Sequence, residues 1–341
     1  MTQLSVVIIC KNEARNIAAA IESVLTATAA WPDTEILLVD SVSTDKTIEI
    51  ACRYPIKIIQ LDPACLLSPS AGRYVGLQQT QGEFVYFLDG DMSLDADWFT
   101  HALPLLVSQT QLAAVSGKCH EISYDDSYTQ VVSDKPDRFD VGTQVQQVHH
   151  LGQSSLYRRR SLEQVGSFNP YLTNEEELEL GLRLSAAGYG LQRIPVPMTV
   201  HKTRYYSQEN PSGLTLRQIK RDWTLGRHLA LGQVLRLLIG NPYLGEYLQL
   251  YRRALLFTGL YLLGLLSLLL SLVTHRPVYV GGWLLLMLSL FVTRALWKQH
   301  WFDTGLFFLD YLLSSYGLIS GFFRPPPPAS HYQPKLTVIQ A

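Results

Sequence analysis

The 341-residue sequence predicts an α/β domain, with a mostly parallel sheet covered by helices on both faces, followed by apolar helices long enough to cross a membrane. Three observations carry this. Over roughly the first 210 residues, unbroken apolar runs of strand length alternate with helix-patterned segments, as expected of strands buried on both faces. Polar or acidic residues follow directly on three of those runs. The apolar excess of the chain, 47% hydrophobic against 17% charged, is concentrated after residue 254.

Taken in order, residues 4–10 (LSVVIIC) read as a strand, and a helix follows around 17–25 with apolar residues at 17, 21, 24 and 25. Residues 35–40 (EILLVD) form a second strand. A helix then begins near Thr44-Asp45, whose side-chain oxygens suit a cap. Residues 56–61 (IKIIQL) give a third strand, 71–78 a helix, and 83–89 (EFVYFLD) a fourth strand. In such sheets ligands bind beyond the carboxyl ends of the strands. Asn12-Glu13, Asp40-Ser41 and Asp89-Gly90-Asp91 therefore fall on one rim. Asp-Gly is also a common turn dipeptide, so the last of these reads either as a plain turn or as a pair of carboxylates around a metal ion.

Further along, residues 211–253 mix Arg217, Lys220, Arg221, Arg227 and Arg236 with leucines at helical spacing. This is the pattern of an amphipathic helix at a membrane surface, or of an ordinary solvated helix. Trp223 fits an interfacial anchor better than a cover over a site. Residues 255–273, 278–291 (extended toward 296) and 305–323 each approach the ~20 residues that cross a bilayer. The third run is interrupted by Asp310, which is costly against lipid. RPPPPAS (324–330) opens a stiff, extended Pro-rich tail over 324–341. The expected organisation is thus a catalytic domain over 1–210, basic interfacial helices over 211–253, a membrane region over 254–323, and the tail.

A formal net charge of −1 gives no reason to expect nucleic acid as a partner. The four cysteines (Cys10, Cys52, Cys65, Cys119) form no CxxC pair; they fit buried thiols in a reducing compartment. The opening MTQLSVVIICKNE has no basic segment before its apolar run and reads as a strand, not a signal peptide. Arg252-Arg253 before the first span and Arg294 and Lys298 after the second place both flanks, and with them the soluble domain, on the cytoplasmic side of a cell membrane. If the third run also spans, the tail lies outside.

Six segments in unbroken order, SVVIICKNEARNIAAAIESVL, EILLVDSVSTDKTIEIA, SPSAGRYVGLQQTQGEFVYFLDGDM, GQSSLYRRRSLEQVGSFNPYL, NEEELELGLRLSAAGYGLQRIP and VHK, resemble glycosyltransferase family 2 and its GT-A fold. The resemblance implies that Asp89 and Asp91 are the family's DxD, the second aspartate on a metal ion and the first near the ribose or the metal. His201 would complete the metal or diphosphate site. Glu13 would lie near the ribose, and Asp40 matches the first of two acids that help read the nucleotide; Ser41 stands where the second is usual. Arg73 matches a basic position approaching the diphosphate or sugar. Glu176-Glu177 match the acidic pair that supplies the general base, with Glu177 as the base and Glu175 offering an alternative register. Gly152, Gln153 and Ser154 resemble the loop beneath the acceptor. Residues 123–150 match no motif and, being polar and aromatic, suit an acceptor loop.

Breaking a sugar nucleotide leaves charge on its diphosphate, which Mg²⁺ or Mn²⁺ held by hard oxygen ligands neutralises. The resemblance therefore implies inverting, metal-dependent transfer of a sugar from a nucleotide donor, UDP-sugars ahead of GDP-sugars. The acceptor is expected to be a lipid-linked or saccharide hydroxyl in cell-envelope, glycolipid or polysaccharide synthesis, with membrane lipid as a further partner. QIKRDW (218–223) departs from the QxxRW of processive enzymes, which favours single transfers. Three alternatives stay open. One is transfer to a polyprenyl phosphate, which needs no base; another is a non-catalytic sugar-nucleotide-binding subunit. A nucleotidyltransferase is the third, although CKNEARN is not the glycine-rich loop it would need.

Overall fold

A computed structural model of the chain describes residues 4–125, 127–204 and 215–341. It divides into two compact units, one comprising the residues up to Arg204 together with 326–341, the other the segment between. The expected boundary at 210/211 lies outside the described residues.

The first unit begins with alternating strands and helices: β1 (Leu4–Cys10), α1 (Ile17–Thr28), β2 (Thr34–Asp40), α2 (Thr47–Ala51), β3 (Lys57–Leu61), α3 (Pro69–Gln78) and β4 (Phe84–Asp89). β1 is buried at all seven positions, and its parallel pairing with β2 and β4 explains why these strands read as unbroken apolar runs. Asp45 accepts from the Thr47 backbone N–H (2.9 Å) at the start of α2 and from that of Ala14 (3.1 Å), so it ties the α2 turn to the loop after β1. Ser68 caps α3, accepting from the Ala71 N–H, with Pro69 at the first helical position. The helix lies close on the sheet because Gly72 and Gly76 face β1. A Cβ at Gly76 would stand 2.2 Å from Val7 Cγ1, so the second glycine of SAGRYVG is a packing requirement.

After β4 the topology changes. β5 (Met92–Leu94), α4 (Trp98–Ser108), β6 (Leu112–Tyr124), β7 (Val131–Lys135), β8 (Gln146–Gln147), β9 (Ser155–Arg158), α5 (Arg159–Val165), α6 (Glu176–Ala186) and β10 (Gly190–Arg204) follow. With a last strand β11 (Leu336–Gln340), the sheet order is β11-β3-β2-β1-β4-β9-β6-β10-β5, with β7 added to β6 and β8 to β10. The long β1–β2, β1–β4, β2–β3 and β6–β10 ladders are parallel, and the shorter β4–β9, β9–β6, β10–β5, β10–β8, β6–β7 and β11–β3 pairs are antiparallel, so the sheet is mixed with most of its ladder parallel. Two apolar layers sandwich it, one around Ile8, Ile21, Tyr86 and Trp98, the other around Val7, Phe87, Phe168 and Leu180.

In the second unit the basic junction is not one continuous helix. It breaks into α7 (Leu216–Thr224), a 3-10 turn at Arg227–Leu229, α8 (Ala230–Leu237) and α9 (Leu244–Leu250). Gly226 and Gly240, both at positive φ, sit at the breaks. Thr215 and Gln218 form a reciprocal cap on α7. Trp223 stacks on His228, with ring centroids 4.3 Å apart. Three long helices follow, α10 (Arg252–Thr274), α11 (Val278–Lys298) and α12 (Trp301–Phe322), each long and apolar enough to cross a membrane. α10 and α11 pair as a hairpin. Gly264 receives the Trp283 ring, whose Nε1 donates to the Leu260 carbonyl (2.8 Å), and Ser271 Oγ accepts from the Val280 N–H.

The Pro-rich tail from 324 onward ends in a strand that the sequence reading does not single out. Leu336–Gln340 forms β11, antiparallel to β3 at the sheet edge. Tyr332 is buried between Tyr74 and Tyr171 and donates to the Leu66 carbonyl (2.8 Å), while Gln340 Nε2 donates to the Tyr54 and Ile56 carbonyls. The physical reason lies in LTVIQ, which is short but β-prone and finds in β3 an edge with free backbone groups. All four cysteines are free; Cys10 and Cys119 are buried as expected, whereas Cys65 is half-buried and Cys52 exposed.

Candidate active site

Strand register assembles the site. Cys10 pairs with Asp40 across β1–β2 and Ile9 with Asp89 across β1–β4, so the three strands end level on one rim. Gly90 makes the turn after β4 fit. Its N–H donates to the Ile9 carbonyl (2.8 Å), and a Cβ there would stand 2.8 Å from Cys10 Cβ and 3.3 Å from Glu13 Cγ. The chain then turns into β5, where Met92 pairs with His201 on β10; β10 in turn pairs His201 with Glu121 on β6. His201 Nε2 thereby lies 3.2 Å from Asp91 Oδ2, and its Nδ1 lies 3.6 Å from Glu121 Oε2 and 3.4 Å from Arg138 Nη1.

Arg73 is the centre of a second cluster. It is 1% exposed, and Nη1 donates to Glu176 Oε1 (2.8 Å) while Nη2 reaches Asp89 Oδ1 (2.8 Å), Glu177 Oε1 (3.0 Å) and the Gln153 carbonyl (3.2 Å). One buried guanidinium thus joins the end of β4 to the first turn of α6 and the loop before β9. α3 places it there because Ser68 and Ser70 donate to the Pro170 and Asn169 carbonyls in the approach to α6. α6 starts with Glu176, Glu177 and Glu179 in its first turn, where the helix dipole favours negative charge. Glu179 is taken up by a bidentate pair with Arg183. Of the two α6 carboxylates on Arg73, Glu176 is 6% exposed and Glu177 17%, so Glu177 is the more open of the pair.

Crowding of acids sets the electrostatics. Burial is the largest influence on Asp89 and raises its carboxyl to about 6; Arg73 opposes this, and Asp91 and Glu177 add to it. Glu176 is pushed well up by burial and by Glu177, against the pull of Arg73. Glu13, half-buried on the rim, is raised to about 7 by burial, with the Asn16 amide opposing and Asp91 adding. Burial lowers His201, but its hydrogen bond to Asp91 and the charge of Asp91 outweigh that, so it is raised overall.

The remaining nucleotide-side residues differ in how they are engaged. Asp40 is fully buried, and its carboxylate accepts from the Ser43 N–H and hydroxyl, Gln60 Nε2 and the Cys10 thiol. Ser41 is buried beside it, its N–H donating to the Cys10 carbonyl. Glu121 and Arg138 are site residues that the sequence reading does not single out. Arg138 Nη1 lies 2.7 Å from Glu121 Oε2 and 3.1 Å from Gln153 Oε1. No motif marks either residue; they meet His201 only through the long β6–β10 pairing and the return of the 123–150 segment along β7.

Among the described residues no group of three or more His, Cys, Asp or Glu is placed to hold a metal ion alone. Asp91 offers one oxygen and His201 one nitrogen, 3.2 Å apart and hydrogen-bonded to each other, with Glu121 and Arg138 behind the second ring nitrogen. That donor set fits a hard divalent ion completed by phosphate oxygens, the usual manner of Mg²⁺ at phosphate sites.

Comparisons with known proteins bear on the family and the fold. The model of Glycosyl transferase family 2 matches residues 5–166. Glycosyltransferase AglE of Haloferax volcanii is 28% identical over 217 residues, 60% of this chain and 68% of its own. Cholesterol galactosyltransferase of Borreliella burgdorferi is 35% identical over 96 residues, 28% of this chain and 26% of its own. S. aureus TarS 1-349 in complex with UDP-GlcNAc superposes at a TM-score of 0.53 with 18% identity, over 71% of this chain and 66% of that one. Its complex with UDP superposes at 0.50 with 16% identity, over 77% and 79%. At that identity the structural likeness carries the fold. The first unit is built on a glycosyl transferase family 2 domain of GT-A fold, and the chain is a glycosyltransferase.

Proposed function

We propose that this chain transfers a sugar, with inversion, from a UDP-sugar to a hydroxyl of a lipid-linked or membrane-associated acceptor at the cytoplasmic face of a membrane. The observation that carries the reading is the meeting of Asp89, Asp91, His201 and Glu177 on one rim of a family 2 domain. In support of the donor, solved structures of the same fold hold UDP or UDP-GlcNAc. In support of the membrane setting, three helices have the length and composition of spans.

Asp91 and His201 would hold Mg²⁺ or Mn²⁺, with Asp89 beside them; when bound, the ion offsets the negative charge of the departing diphosphate. Glu177 stands ready as the base. It takes the proton of the acceptor hydroxyl as the oxygen attacks the anomeric carbon from the face opposite the nucleotide, and the electron pair of the broken bond leaves with the diphosphate. Arg73 holds Glu177 and Asp89 in register with each other, so base and donor pocket are set by one side chain. Glu13 lines the nucleotide end of the same rim, and Asp40, buried beneath it beside Ser41, orders that end by accepting from Ser43.

Calorimetric titration of UDP and GDP, with and without Mn²⁺, into wild type and Asp91→Ala tests the reading. Metal-dependent UDP binding that is lost in the variant is expected. Equal binding by both proteins would remove Asp91 from the site. A second reading, transfer to a polyprenyl phosphate, draws on the pairing of Glu177 with Arg73 at 3.0 Å, because a phosphate acceptor needs no free base. Glu177→Gln separates the two, being nearly silent for a phosphate acceptor and severe for a hydroxyl.

A further inference from the structure

We infer that only α10 and α11 cross the membrane, as a hairpin, and that α12 lies against the cytoplasmic side of the bilayer without crossing it. The inference deepens the membrane setting proposed above. It starts from connectivity. The first unit contains residues on both sides of the helical segment: it is left at Arg204 and rejoined at 326, and β11 hydrogen-bonds into the same sheet as β1 to β4. Strands of one sheet share one side of a membrane, so the chain between them crosses an even number of times. Three candidate spans cannot all cross.

The helix that stays behind is identified by its partners. α10 and α11 pack on each other in the half nearest the connecting turn, with Trp283 on Gly264 and Leu260 and Val280 on Ser271. Outward they present bare leucines: Leu262, Leu263, Leu265, Leu266, Leu269 and Leu272 on α10 alone. α12 begins against the base of this hairpin, where Phe307 and Tyr311 meet Phe257 and Asp303 pairs with Arg294 at 3.2 Å. Its second half then leaves the hairpin. Gly317 and Gly321 pack on the His228 and Leu229 carbonyls of the 3-10 turn, and Gly232 of α8 packs on the backbone at Leu318 and Phe322. A spanning α12 would instead run beside the far half of α10.

Sequence agrees with the packing. Asp310, the tenth of 22 residues in α12, would sit near mid-bilayer in a spanning helix, and α12 is the least apolar and most buried of the three. Arg252 and Arg253 at the start of α10, with Arg294 and Lys298 at the end of α11, then share the cytoplasmic side, as the positive-inside rule asks. Basic α7 and α8 and the second half of α12 form one amphipathic layer suited to anionic headgroups.

The test uses the full chain with Cys52 and Cys65 changed to serine and one new cysteine at an exposed position: D33C, H275C, Q299C or Q333C. Each variant is treated with a membrane-impermeant maleimide in right-side-out and in inside-out vesicles. D33C, Q299C and Q333C are expected to label from one face and H275C from the other. Labelling of Q299C and Q333C from opposite faces would show that α12 crosses and overturn the inference. Labelling of H275C from the same face as D33C would overturn it too, by removing the hairpin crossing. Failure of the underlying membrane reading looks different: alkaline carbonate would release the wild-type chain from vesicles altogether.

Discussion

The two units obey the same hydrophobic driving force and arrange it oppositely. In the first, aliphatic and aromatic side chains fill both faces of a mixed sheet, and buried charged groups are ion-paired, as around Arg73, or held by neutral hydrogen-bond partners, as at Asp40. In the second, the pairing hairpin buries glycine, serine and alanine, and its leucines point outward; Leu265 is 64% exposed. Small residues at helix contacts and large apolar ones outside are what a lipid solvent favours. The difference teaches that exposure has to be read against the solvent it faces. An exposed leucine is a neutral detail on the first unit, and on the second it is the surface that the proposed membrane setting would cover.

The sharpest break of this comparison is at Glu177, the proposed base. Glu177→Gln keeps volume and helix but removes proton acceptance, so kcat with a hydroxyl acceptor should fall by roughly 10²- to 10⁴-fold while donor binding persists. Next in size is Arg73→Ala, which leaves Asp89, Glu176 and Glu177 crowded without their cation. Removing one partner of a buried ion pair costs about 3–5 kcal/mol, so thermal unfolding should drop by many degrees and activity should be lost; Arg73→Lys, lacking the fork, should recover only part of either.

A matched pair of substitutions then tests the contrast of solvents. Leu265→Asp, on the outward face of α10, should cost about 3 kcal/mol of membrane insertion and leave part of the chain extractable by carbonate. Leu66→Asp, at an exposed position of the first unit, should change thermal stability by about 0.5 kcal/mol or less. Equal effects at the two positions would mean that the second unit faces water.

The smallest effect is in the pH dependence of stability. Glu13 has its carboxyl raised in the folded state from 4.5 to about 7, so the folded state holds its proton over a range where the unfolded chain has released it. The stability this contributes is complete below pH 4.5 and is lost as pH rises through 7. Burial is incomplete, so the change is on the order of 2 kcal/mol at most. Glu13→Gln should flatten the metal-free melting profile between pH 5 and 8, and an unchanged slope would assign that slope to other groups.

Much of the rim was legible in the sequence for a simple reason. Parallel strands buried on both faces write themselves as apolar runs, and the first polar residue after each run marks the rim. Asp40, Asp89 and the turn at Gly90 follow from that pattern. Other parts depend on pairings that no local pattern encodes. Glu121 reaches His201 through the register of a 13-residue strand against a 15-residue one with shifts between them. The three carboxylates on Arg73 come from β4 and α6, up to 104 positions away in the chain. The β11 strand was missed because five β-prone residues after a proline run carry no period strong enough to separate a strand from an extended tail.

That last strand also has a consequence for how the molecule is made. The ribosome delivers β3 early and β11 last, after all three long helices. Until then β3 is an outer strand with open hydrogen-bonding groups, the kind of edge that recruits other chains. The first unit therefore closes its sheet only after the whole of the second has been made. A stop codon within α12 would leave every residue of the rim in place and the opposite end of the sheet unfinished, giving a chain whose defect is adhesion to its neighbours and not loss of chemistry.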